Sequence, residues 1–176
     1  MAGHNKWAQI KRQKGANDAG KAVVWGKLGK RIAVESKKAA GDVNSPALRT
    51  LIETAKKVNM PKDTIERAVA KGIASDTVDL ESITYETYGP GGAAIVIETL
   101  TDSRNRTAQE IKHLLDEHGL ALAAPGSALW AFEKTTDGYT PKTMVQLSEE
   151  DNTKLMKILE VVDAYDDVEN VYTNAE

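Results

Sequence analysis

Few residue types in this chain could support covalent chemistry. Cysteine is absent, so there is no thiol nucleophile, disulfide framework or cysteine-ligated zinc site to propose. A reducing, cytoplasmic setting is the natural expectation. The three histidines, His4, His113 and His118, have no nucleophile spaced to work with them. Asp166-Asp167 has the composition of an acid/base or metal pair, but a turn ahead of a closing strand accounts for it more simply. Gly89-Pro90-Gly91-Gly92 is not followed by Gly-Lys-Ser/Thr and opens no helix, so it reads as a turn rather than a phosphate loop. These residues point to no catalytic group, metal, cofactor or small-molecule substrate.

What remains is charge. The formal net charge of −3 over 176 residues hides two halves of opposite sign. Residues 1–80 hold 16 Lys and Arg against 8 Asp and Glu, and the remainder holds 7 against 18, giving +8 and −11. In the first 40 residues, Lys6, Lys11, Arg12, Lys14, Lys21, Lys27, Lys30, Arg31, Lys37 and Lys38 face only Asp18 and Glu35. Blocks of this kind seek polyanions.

The elements that must carry these cations follow from periodicity. Residues 17–40 have helical spacing and stop at Gly41. At 100° per residue Val24, Trp25, Leu28, Ile32 and Ala39 share one arc, while Lys27, Lys30, Arg31, Lys37 and Lys38 share another of roughly 120°. The cationic arc runs roughly 16 Å, enough for two or three phosphates of one strand. A solvated helix face is the plain alternative. A second helix is announced by Ser45 and Pro46, with Leu48, Leu51, Ile52 and Ala55 inward. A third opens at Pro61, with Ile65, Ala68, Val69 and Gly72 inward. The residues before Asn17 read as a basic arm. There Trp7 either stacks on an unpaired base or packs against the bundle.

From Ile83 the period becomes two, giving a hairpin of 83–88 and 93–100 about the glycine-rich turn. Thr107-Ala108-Gln109-Glu110 reads as a capping box opening a helix with Ile111, Leu114, Leu115 and His118 on one face, stopped by Gly119. A strand with Trp130 and Phe132, a reversal at Asp137-Gly138, a strand over 143–147, a helix capped by Ser148 and a strand over 168–173 complete the chain. Arg104 and Arg106, just before a helix start, either hold an anion or pair with Asp102. The fold class is therefore α+β: a basic three-helix bundle over residues 1–78, then a ferredoxin-like βαββαβ domain with an extra N-terminal strand over 79–176. The linker falls around Ala74 to Leu80. No apolar run approaches the roughly 20 residues of a membrane span, and no secretory signal is evident.

Five strings then carry a resemblance. They are Met1-Ala2-Gly3-His4-Asn5-Lys6-Trp7, Asn59-Met60-Pro61-Lys62-Asp63-Thr64-Ile65-Glu66-Arg67-Ala68, Tyr88-Gly89-Pro90-Gly91-Gly92, Thr101-Asp102-Ser103-Arg104-Asn105-Arg106-Thr107 and Asp166-Asp167-Val168-Glu169-Asn170-Val171-Tyr172-Thr173-Asn174. In this order they resemble the YebC/PmpR family. The resemblance implies a helical first domain and two α+β domains. It also implies DNA-binding transcriptional regulators, with a translation branch of mitochondrial activators and ribosome-associated factors relieving stalling at proline runs. Members carry about a further domain's worth of residues between the strand at Trp130 and the strand at Val145. Here only the Asp137-Gly138 turn lies there, so the third domain is expected to be absent near 135–141. Asn5 departs from the serine usual at that position.

The functional expectation is a non-enzymatic, nucleic-acid-binding regulator of gene expression. Its partner is DNA, or ribosomal RNA and the ribosome, with no membrane involved. The expected contact residues are Lys6, Trp7, Lys11, Arg12, Lys14, Lys21, Lys27, Lys30, Arg31, Lys38, Arg104 and Arg106. A protein-interaction adaptor with an acidic docking half is the other class.

Overall fold

A computed structural model describes Trp7 and residues 18–74, 79–136 and 138–176. The chain divides into two compact units, one over residues 15–80 and one over residues 81–176, with Trp7 belonging to the second.

The first unit is three helices: α1 (Asp18–Lys38), α2 (Pro46–Lys57) and α3 (Lys62–Ile73). Leu28 and Ile32 of α1, Leu48 and Ala55 of α2, and Ile65 and Ala68 of α3 form its core together with Met60. The terminating signals act as the chemistry requires. Gly41, at φ +82°, donates its N–H to the Ser36 carbonyl at 2.9 Å. Asn59 takes φ +57°, so that the Met60 N–H reaches the Ala55 carbonyl at 3.0 Å and the Met60 side chain enters the core. Pro61, next in line, starts α3 by offering its carbonyl to the N–H groups of Thr64 and Ile65. Helices α1 and α3 approach closely at Gly72, where a Cβ would lie 2.7 Å from the Ser36 Cβ; the Ser36 hydroxyl bonds the Val69 carbonyl at 2.8 Å.

The second unit has the order β1 (Glu81–Tyr88), β2 (Ala94–Thr101), α4 (Arg104–Asp116), β3 (Phe132–Thr135), β4 (Gly138–Pro141), α5 (Glu149–Ala164), β5 (Val168–Thr173). From β2 onward this is the βαββαβ order, with β1 as the additional strand. The sheet runs β1-β2-β5, all antiparallel. One face carries Ile95, Ile97 and Val171 against Ile111 and Leu115 of α4 and Leu155, Leu159 and Val162 of α5. On the other, Ala94 and Val96 meet Ala128, Ala131 and Phe132. The segment after β5 locks the unit: the Asn174 side chain accepts from the Ala94 N–H at 2.8 Å and donates to the Thr143 carbonyl at 2.9 Å.

Three local expectations are corrected. Helix α4 starts at Arg104, so Thr107 lies inside it; its hydroxyl bonds Thr101 and Asp167 instead of capping, and no capping box forms. Trp130 sits in a 3-10 turn, Leu129–Ala131, ahead of β3. The strand expected over 143–147 is reduced to a single bridge of Val145 with Ala175, and the hairpin partner of β3 is Gly138–Pro141, so β3 and β4 pair as a ribbon of their own. Gly138 takes φ +116° with the Tyr172 ring against it, room no other residue would leave. No helix among the described residues is long and apolar enough to cross a membrane.

Candidate nucleic-acid interface

On residues 18–74, 12 Lys and Arg stand against 6 Asp and Glu. The segregation expected on α1 is partly realised: Leu28 and Ile32 are buried, while Arg31, Lys37 and Lys38 are exposed and Lys21 and Lys30 are half-buried. Lys27 differs. It is only 8% exposed and is engaged within the structure, which removes it from the solvent-facing row. Helical spacing assigns residues to an arc but does not say what packs over that arc, and an aliphatic Lys stem can be buried when its ammonium is satisfied.

Lys38 pairs with Glu35 at 2.6 Å and Lys37 with Asp79. Both pairs are largely exposed, and such pairs contribute little, so a polyanion competes for these cations at small cost. The other helices add cations that sequence reading left out. Lys56 and Lys57 are exposed in the last turn of α2, where they also complement the helix dipole, and Lys62, Arg67 and Lys71 are exposed on α3. The signal for them was present in the count of charges; spacing alone did not distinguish them from solvated faces. Lys6, Lys11, Arg12 and Lys14 lie outside the described residues.

The remaining candidates are placed elsewhere. Trp7 is 3% exposed and packs in the core of the second unit with Ile97, Ile111 and Leu115, neither against the three-helix bundle nor open to a base. Arg104 makes a two-pronged pair with Glu81, which holds the Glu81 carboxyl below the usual range. Arg106 donates to Asp102 at 2.8 Å and to Asp167 at 2.9 Å, and these carboxylates raise its pKa further. An external anion would have to displace three carboxylates. Asp167 itself is buried and its Oδ2 accepts from Thr107 at 2.8 Å and from Thr101 and Tyr165 at 3.2 Å. Burial foremost pushes the Tyr165 phenol up. A second buried carboxylate, Glu86, accepts from the N–H groups of Gly126, Ala128 and Leu129 at 2.6, 2.7 and 2.9 Å. Neither role was foreseeable, because all the donors but Tyr165 lie 40 to 66 residues away.

His113 is exposed beside Glu117 at 3.5 Å, and His118, just past the end of α4, is exposed with Nδ1 against the Leu114 carbonyl. Among the described residues no group of three or more His, Asp or Glu is placed to hold a metal.

Comparison with known proteins decides the family. A family model described as the TACO1/YebC protein N-terminal domain matches residues 5–75, and one described as the TACO1/YebC second and third domain matches residues 80–137. The chain belongs to the TACO1/YebC family. Among its relatives in that family are probable transcriptional regulatory proteins of Thermosipho africanus, 46% identical over 152 residues, and Petrotoga mobilis, 47% identical over 148. The chain spans about 60% of the length of these curated relatives. A relative of the same name from Desulfosudis oleivorans is 34% identical over 237 aligned positions, covering 99% of this 176-residue chain and 96% of the relative. This TACO1/YebC member is thus the shorter chain. Among solved structures, a conserved hypothetical protein of Aquifex aeolicus matches with a TM-score of 0.80 at 27% identity, covering 90% of this chain and 91% of that one.

Proposed function

We propose that this chain is a nucleic-acid-binding regulator of gene expression that grips DNA through phosphate contacts made by its basic helical unit. The observation that carries the reading is the charge division, +8 before Glu81 and −11 from it onward, with α1 displaying cations opposite its core-facing arc. The relatives named as probable transcriptional regulatory proteins support the regulatory part. The protein acts by binding, in the cytoplasm, without a cofactor. The family's third domain falls out near 135–141, together with any partner surface on it.

The row is mostly lysine, a point charge suited to backbone contact rather than base reading. That composition equally favours ribosomal RNA, which makes a ribosome-associated translation factor relieving stalls at proline runs the second reading. Fluorescence anisotropy with a DNA duplex and with a structured RNA, each over a salt series, tests both. Replacing Lys30, Arg31 and Lys38 by Gln is expected to lower the slope of log affinity against log salt by about 2.7 on duplex DNA, at about 0.9 per phosphate contact. Tighter binding to the RNA, with co-sedimentation with ribosomes, selects the second reading. An unchanged slope on both ligands, in a variant of unchanged circular dichroism, refutes both and favours a protein-interaction adaptor.

A further inference from the structure

We propose that Trp130 and Tyr88 form a docking site for an arginine-bearing basic segment of a partner protein. Among the described residues of the second unit Trp130 is the most exposed large hydrophobic one, at 54%, and Tyr88 is 37% exposed. Neither is loosely held. The Trp130 indole donates to the Tyr88 hydroxyl at 2.8 Å, and that hydroxyl donates in turn to the Ser127 carbonyl. The turn bearing Trp130 is pinned from below by the buried Glu86 carboxylate, which takes three of its N–H groups. The Ala131 carbonyl accepts from the N–H groups of Lys142 at 2.9 Å and Thr143 at 3.3 Å, which fixes the turn from its other end.

The consequence is an aromatic pair whose polar atoms are already satisfied internally, so what it offers outward is ring surface. A fixed, exposed Trp loses little freedom on binding, which is the property of an interface anchor. Charge selects the occupant. The pair sits on a unit carrying 18 acidic against 7 basic residues, a field that repels nucleic acid and draws cations. The face of an indole attracts a guanidinium more strongly than any other side-chain ring does. An arginine flanked by further basic residues satisfies both conditions.

The test uses the full chain with ¹⁵N-labelled tryptophan, a short synthetic Gly-Arg repeat peptide, and the same peptide with citrulline in place of arginine. Assignment of the Trp130 indole N–H comes from Trp130→Phe. The arginine peptide is expected to shift that resonance. The citrulline peptide, and the variant Trp130→Leu, which keeps an apolar side chain but removes the ring, are each expected to weaken binding by about tenfold. Four results would overturn the proposal: no shift with the arginine peptide, equal affinity for the citrulline peptide, equal affinity of Trp130→Leu, or a Trp130 shift caused instead by oligodeoxythymidine. A concentration-dependent dimer that Trp130→Leu abolishes would also overturn it, by showing that a second copy is the occupant.

Discussion

Replacing Asp167 by Ala would unbolt the second unit where α4, β2 and β5 meet. The carboxylate Oδ2 is shared by Thr107, Thr101, Tyr165 and Arg106, and these partners differ in what they lose. Thr107 is fully buried and its hydroxyl proton points either at Asp167 or at the Thr101 hydroxyl, 2.8 Å away. Thr101 retains the Ser103 carbonyl at 3.3 Å as an acceptor, and the Tyr165 hydroxyl can turn to Glu110. Arg106 is half exposed and keeps Asp102, so it adds nothing to the sum. One strong buried bond and one weaker one are therefore lost, plus the space left by the carboxyl group. At about 1–3 kcal/mol for a buried donor left unpaired, the expected cost is about 2–3 kcal/mol. A unit of this size loses roughly 5 °C per kcal/mol, so its melting transition should fall by about 10–15 °C. Thermal unfolding of the full chain followed by far-UV circular dichroism reads this directly. A fall of less than about 3 °C would show that the cluster is decoration and that the geometry has been overvalued. Asp167→Asn should lie between the two, since one acceptor survives.

Gly72→Ala should destabilise the helical unit by about 1–3 kcal/mol, because the added methyl meets the α1 backbone at Ala33 as well as Ser36; unchanged urea unfolding of that unit would contradict the close approach. Glu86→Gln should accelerate hydrogen exchange at Gly126, Ala128 and Leu129 selectively, and uniform protection would show that the loop holds itself. Tyr85 and Tyr165 should ionise above the ordinary phenol value of 10.0, since burial raises both. A phenol whose folded pKa is raised loses stabilisation as pH climbs past its unfolded value, so stability should fall from about pH 10 upward; a tyrosinate absorbance titration of the folded protein whose high-pH limb is unchanged by Tyr85→Phe and Tyr165→Phe would refute this. At the acid end Glu81, lowered by Arg104, contributes stability above its ordinary range that disappears as pH falls, and Glu81→Gln should flatten that limb of the stability profile.

The parts of the fold that were legible in sequence are those governed by neighbours along the chain. Helical spacing, Pro46 and Pro61 at helix starts, Gly41 at a helix end and the alternation of β1 all act within a turn or two, and the elements lie where those signals placed them. The errors share one cause. Thr107 looked like a cap until Asp167, 60 residues on, claimed its hydroxyl, and nothing in the spacing around Glu86 announced that the 126–129 loop would wrap it in N–H groups. Trp7 among lysines read as an arm residue, while the core it enters includes Ile97, Ile111 and Leu115, far along the chain. The cations were legible in type and sign, yet the burial of Lys27 depends on packing that no periodicity encodes.

The pairing of β5 with β2 has a consequence for how the protein is made. Central strand β2 finishes its ladder with residues 168–173, and the Ala94 N–H finds its acceptor only in the Asn174 side-chain oxygen. During synthesis, therefore, Ile95, Val96 and Ile97 must wait with one edge open until the final stretch emerges, whereas the three helices can close on local contacts at once. Translation thus delivers a finished basic module on the ribosome's surface ahead of an unfinished acidic one, and nascent chains halted before Val168 present an adhesive strand to one another and to chaperones.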